Sequence, residues 1–151
     1  MSADCCSSAT PVMILACSGG SNVGQLTNQA AVELTREGFG KMYCLAGLGA
    51  GLKSFVQAAR EAPRLAVLDG CPVGCAKAIL EQADLAPRGY LVLTEDLGIE
   101  KVKDQALAIT AEEVAKVKAA VRSAAMASSP AAGPASLGAA GGCGCAAGRR
   151  G

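Results

Sequence analysis

Apolar residues fall along this chain in short runs that alternate with helical stripes. Val12 to Cys17 (VMILAC) is an unbroken apolar run, as expected of a strand buried on both faces. A glycine-rich turn follows, and then Val23, Leu26, Ala30, Ala31 and Leu34 recur at helical spacing. Ser21 or Asn22 is placed to cap that helix, and Gly38 and Gly40 to stop it. The alternation repeats. Met42 to Ala46 reads as a second strand, and Leu48, Leu52, Phe55, Val56 and Ala59 as one helical stripe ended by Pro63. Leu65 to Leu68 reads as a third strand, with Val73, Ala76, Ile79, Leu80 and Ala83 as the next stripe. After Gly89, Tyr90 to Thr94 reads as a fourth strand. Residues 95–109 read as a loop with a short fifth strand at Ala106–Ile109. Thr110 and Glu113 then form a capping box for a helix carrying Val114, Val117, Val121 and Ala124, ending near Ala127.

Strand–helix alternation of this kind predicts a parallel sheet with helices on both faces. The expected fold is a single three-layer α/β domain over residues 11–127. It is Rossmann-like, with a mainly parallel sheet of four to five strands. Residues 1–10 read as a flexible arm. Residues 128–151, dominated by Pro, Gly, Ala and Ser, read as a disordered tail.

Composition narrows the function. The chain has 151 residues, 51% of them hydrophobic but only 3% aromatic, so its core must be aliphatic. A formal net charge of +1 and the scarcity of aromatic rings argue against nucleic acid as a partner. No apolar run reaches the roughly 18 residues of a transmembrane helix, and no membrane association is expected. The run at Val12–Ala16 lacks the basic leader of a signal peptide. The expected location is therefore cytoplasmic, where thiols stay reduced. Eight cysteines in such a chain read as metal ligands or redox groups rather than disulfides. The sequence contains no histidine. That excludes Ser-His-Asp and Cys-His catalysis, His-Glu-x-x-His zinc proteases and the two-histidine iron triad.

Four cysteines fall at equivalent places in the predicted fold. Cys17 ends the first strand, Cys44 lies near the end of the second, and Cys71 and Cys75 follow the third. In a parallel sheet the C-terminal strand ends share one edge, where open α/β folds bind their ligands. The spacing Cys71-x3-Cys75 lies within the range of zinc ligand pairs. Pro72 suits the first turn of a helix, which places Cys71 at or near the cap, where backbone N–H groups and the helix dipole favour a thiolate. Asp69 either caps a turn or orients a ligand. Lys53 and Lys77 are placed to balance thiolate charge. The turn after Cys17 (SGGSNVG) lacks the Gly-Lys-Ser/Thr ending of a P-loop and departs from G-x-G-x-x-G. It reads as a tight turn that aims Cys17 at the site, with a phosphate cradle as the alternative.

Asp69-Gly70-Cys71-Pro72 followed by Cys75, with Cys17-Ser18-Gly19-Gly20 and Cys44-Leu45-Ala46, resembles the DGC family over about residues 12–125. That family is described as binding zinc through four cysteines, and the resemblance maps them to Cys17, Cys44, Cys71 and Cys75. Cys5, Cys6, Cys143 and Cys145 fall outside the resemblance and read as accessory thiols.

Three functions follow as expectations. The first is a small metal-binding protein that holds one zinc for storage, sensing or handover to a metal- or sulfur-handling partner protein. The second is a thiol-based redox, persulfide or selenium carrier. The third is an iron–sulfur protein, since four cysteines also satisfy a cluster. An ordinary hydrolase or transferase is the least favoured reading, because a closed four-sulfur site leaves no open coordination position.

Overall fold

A computed structural model describes residues 12–86, 88–105 and 107–127. The arm 1–10 and the tail 128–151, with Cys5, Cys6, Cys143 and Cys145, lie outside the described residues. The elements run β1 (Val12–Ala16), α1 (Asn22–Arg36), β2 (Gly40–Met42), α2 (Leu45–Gly49), α3 (Lys53–Glu61), β3 (Arg64–Asp69), α4 (Cys75–Gln82), β4 (Tyr90–Val92), α5 (Leu93–Asp96) and α6 (Ala111–Ala127). The four strands pair in the order β2-β1-β3-β4, all parallel.

Strand side chains alternate between faces, and that alternation builds two cores. Val12, Ile14 and Ala16 of β1, with Ala66 and Leu68 of β3, pack on one face with Leu26, Ala30 and Leu34 of α1 and Val114, Val117 and Val121 of α6. Leu15 and Cys17, with Leu65 and Val67, pack on the other face with Leu48, Ala59, Ala76 and Leu80 from α2, α3 and α4. The domain is therefore three-layered, and both faces of the central strands are dry.

Helix ends follow the chemistry of their termini. Ser21 caps α1, its hydroxyl accepting the Gly24 N–H. At the other end Gly38 sits at φ +73. The Gly38 and Phe39 N–H groups reach back to the Thr35 and Leu34 carbonyls, forming a Schellman closure. Thr110 and Glu113 exchange hydrogen bonds as a capping box for α6.

Several element boundaries differ from the sequence reading. The second strand is Gly40–Met42, not Met42–Ala46. The chain turns at Tyr43, and Cys44 caps the short helix α2. The single stripe expected over Leu48–Ala59 is two helices, broken where Gly51 adopts φ +66. The fourth strand stops at Val92, whose N–H is taken by the Asp96 carboxylate of α5. Val121 is followed on the buried face by Ala125 rather than Ala124. Among the described residues there is no fifth strand. Residues 97–103 instead form a strap whose one ladder-type contact is an antiparallel bridge, Ser21 to Lys103.

A surface network joins α1 to α6. Lys118 Nζ lies 2.7 Å from Glu33 and 2.6 Å from Glu37, and Arg122 lies 2.6 Å from Glu37. Hydrogen bonds from Lys118 are the main cause holding both carboxyls below their usual range. Groups lowered in the folded state contribute stability above the ordinary carboxylate pKa and lose it as pH falls through the lowered value. Lys118→Met should therefore lower the melting temperature modestly at pH 7, and the gap from wild type should close as the pH is taken below the ordinary carboxylate range. Parallel melts of the two proteins across that range check it.

Candidate metal centre

The sheet order creates the site. From β1 the chain moves outward to β2, then crosses back to β3 on the other side of β1. Such a reversal leaves a crevice beyond the C-terminal strand ends, here between β1 and β3. Cys17 follows β1 there, and Gly70 and Cys71 follow β3. The Cys17 N–H binds the Leu68 carbonyl at 2.9 Å, and the Gly70 N–H donates to Cys17 Sγ at 3.1 Å.

The Asp69-Gly70-Cys71 stretch has a separate structural reason for each residue. Asp69 is buried, 1% exposed. Its carboxylate accepts the Ala76 N–H at 2.9 Å, the Lys77 N–H at 3.1 Å and the Tyr90 hydroxyl at 3.2 Å. Asp69 therefore pins the first turn of α4 to β3 and β4, and burial followed by this carboxylate pushes the Tyr90 phenol up. Gly70 passes against the first turn of α1. A Cβ there would lie 2.8 Å from the Val23 carbonyl carbon and 3.0 Å from the Gly24 nitrogen.

The turn after Gly70 differs from the expected helix start. Residues 71–74 form a turn closed by Gly74 N–H to Cys71 O at 3.1 Å, and α4 begins at Cys75 with Gly74 (φ +67) before it. Pro72 is thus outside the helix, Cys71 is not at its cap, and Val73 is 72% exposed rather than part of the buried stripe. Cys75, the first residue of α4, takes the helix-start position instead.

Two adjoining cavities open at this edge. One, of about 300 Å³, is lined by Cys17, Cys71 and Cys75 together with the 18–21 turn, Lys101 and Lys103. The other, of about 410 Å³, is lined by Cys17, Cys44, Cys75, Met42, Tyr43 and Ile79. Cys17 and Cys75 belong to both. All four cysteines thus sit at the C-terminal edge as free thiols, but not as one closed cluster. Among the described residues no three Cys, Asp or Glu groups stand close enough to hold an ion. The donor chemistry fits a thiophilic metal such as zinc. The side chains as they stand are open around the Cys17–Cys75 pair rather than gathered into a tetrahedron.

Three of the four thiols have hydrogen-bond partners of their own. Cys17 is buried, and that burial pushes its thiol up; hydrogen bonds from Thr27 and Gly70 offset this in part, while Asp69 and Cys75 add to it. Thr27 is fully buried, its hydroxyl 2.6 Å from the Cys17 carbonyl oxygen and 2.7 Å from that of Gly24. Cys44 Sγ accepts the Gly47 N–H at 3.4 Å. Cys71 Sγ accepts from Lys101 Nζ at 3.1 Å.

That last contact was not foreseen from the sequence. The lysines expected near the thiols are elsewhere. Lys53 begins α3 and lines neither cysteine cavity. Lys77 lies 3.9 Å from Glu81 and 5.8 Å from the centre of the Tyr90 ring. Lys101 comes from a strap thirty residues away, and no local pattern links the two.

A doubly wound α/β domain that gathers cysteines at its sheet switch point is the class of protein these features define. The family model described as the DGC domain matches residues 13–121, and the chain belongs to that family. Among curated proteins it is similar to the anaerobic and virulence modulator AnvM of Pseudomonas aeruginosa strain PAO1. The two are 39% identical over 89 residues, which are 59% of this chain and 67% of the relative. No solved structure matches the chain. Among the described residues no helix is long and apolar enough to cross a membrane.

Proposed function

We propose that this chain is a cytoplasmic metal-binding protein that takes up one zinc ion through cysteine thiolates, for sensing or handover. The observation that carries the reading is the pair Cys17 and Cys75, shared by two cavities that also hold Cys71 and Cys44. Cys71 lies on a turn and Cys44 at a helix cap, and closing on an ion would require both to move toward that pair. A neutral, buried Cys17 becomes a thiolate most readily when a cation arrives beside it. The matched relative is named a modulator, which favours a sensing or transfer use over bulk storage. The partner would then be a metal-handling protein that exchanges thiol ligands with this edge.

Elemental mass spectrometry of freshly purified protein, with a visible spectrum, tests this. About one zinc per chain and no colour is the expected result. Cys17→Ser and Cys75→Ser should each abolish stoichiometric binding, whereas Cys44→Ser and Cys71→Ser should weaken it. Stripping the metal should also lower the melting temperature, because binding energy becomes folding energy. Brown protein containing iron and sulfide would replace zinc with a cluster.

A second reading is favoured by one contact. Cys71 has an ammonium at 3.1 Å and opens on a cavity, as a persulfide, selenium or redox carrier thiol requires. Metal-free protein in which Cys71 alkylates fast, and which never retains zinc, would make sulfur chemistry the function.

A further inference from the structure

The strap that supplies Lys101 and Lys103 to the lining of the cysteine cavity is fastened at three places besides the Ser21–Lys103 bridge. Ile99 is buried in the core, 7% exposed. Lys116 Nζ holds the Leu97 carbonyl at 2.7 Å. Between strap and sheet edge stands Asn22, the first residue of α1 and 5% exposed. Its Nδ2 donates to the Glu100 carbonyl at 2.9 Å, its Oδ1 accepts the Val102 N–H at 2.8 Å, and its own N–H binds the Val102 carbonyl at 3.2 Å. These bonds bracket Lys101 on both sides. One consequence is that Lys101 is held with its Nζ 3.1 Å from Cys71 Sγ.

Asn22 looks like a helix-start residue in the sequence, yet the cap is Ser21. A buried amide that uses both ends and its backbone on one distant segment is dedicated to that segment. The charged groups lining the cavity besides the thiols are Lys101, Lys103 and Asp104, and the last two are exposed. Lys101 is the half-buried cation of the set and the one in contact with sulfur.

Resting on the zinc reading above, we infer that Lys101 is the charge-balancing residue of the metal centre and that Asn22 is the residue that positions it. Four thiolates around a divalent ion leave a net charge of about −2, and the nearest fixed cation offsets part of it. Hydrogen bonds to ligand atoms commonly change metal affinity by about 10–100-fold when removed. Lys101 acts on Cys71 directly. Asn22 acts only through the strap.

The test is a zinc titration of the full chain against a chromophoric chelator. Lys101→Met should bind zinc about 10–100-fold more weakly, with an unchanged melting temperature for the metal-free protein. Lys101→Arg, which keeps the charge, should retain most of the affinity. Asn22→Ala should weaken binding in the same direction, and Asn22→Ala with Lys101→Met should be no worse than Lys101→Met alone. A short amine-to-thiol cross-linker on metal-free protein should join Lys101 to Cys71 in wild type and fail in Asn22→Ala. Lys101→Met that binds as tightly as wild type, or more tightly, overturns the inference while leaving the zinc reading intact. Losses that add in the double variant remove Asn22 from the role. A wild type that binds no zinc overturns both.

Discussion

Asp69→Ala should cost the domain about 3 kcal/mol, the largest loss expected from any single residue at the cysteine edge. The carboxylate satisfies two backbone N–H groups at the start of α4 and the Tyr90 hydroxyl. Ala76 is fully buried, so its N–H finds no water when the acceptor is removed. Each orphaned donor costs about 1 kcal/mol or more, and hydrogen bonds to a charged group are at the strong end of the range. Against a total stability of about 5–15 kcal/mol, that loss is visible in any melt. Asp69→Asn keeps one acceptor oxygen but turns an NH2 group toward donors, so it should lose about half as much. Urea unfolding of the three proteins decides it. Asp69→Ala with an unchanged midpoint would show that α4 needs no anchor, and Asp69 would return to being a candidate for contact with a bound ligand.

Gly70→Val should be comparably damaging for a different reason. The missing Cβ faces backbone, 2.8 Å from the Val23 carbonyl carbon and 3.0 Å from the Gly24 nitrogen. Backbone at the start of a 15-residue helix cannot swing aside as a side-chain tip can. Overpacking of this kind costs about 1–3 kcal/mol, and a branched side chain against main chain belongs at the upper limit. Gly70→Ala should fall below Gly70→Val in the same series. Both variants should also weaken zinc binding, because a displaced Gly70 removes its N–H from Cys17 Sγ. Gly19→Ala is the control. Nothing lies within 4 Å of a Cβ at that position, so stability should stay within about 0.5 kcal/mol. A Gly70→Val protein as stable as the Gly19 control would mean that β3 and α1 separate at this edge without penalty.

Much of the fold was legible because strands buried on both faces must be continuously apolar. VMILA in β1 and Leu65–Leu68 (LAVL) in β3 carry that mark, and β1 and β3 are the two central strands. The edge strands were misplaced at their ends. Gly40–Met42 and Tyr90–Val92 each have one strand neighbour and three residues. Apolar residues just beyond them, Leu45 half-buried and Leu93 fully buried, reach the core by turning into short helices instead of continuing the ladder. An apolar run reports burial and leaves open which backbone shape achieves it. The same ambiguity misled at Pro72. Proline suits a helix start, but it suits a turn equally, and Gly74 at φ +67 with Asp69 reaching to Ala76 sets the start at Cys75.

What the sequence alone determined is the three-layer parallel architecture and the edge on which Cys17, Cys44, Cys71 and Cys75 all fall. Both depend on periodicity and on chain direction, which are local or follow from the strand–helix alternation. Tertiary structure alone decided how the four thiols are divided between two cavities, that Asp69 is committed to α4 and Tyr90, and that Lys101 stands over Cys71. Each of those is a contact between segments far apart along the chain. No periodicity encodes such a contact, because it is set by how the packed layers bring loops together in space.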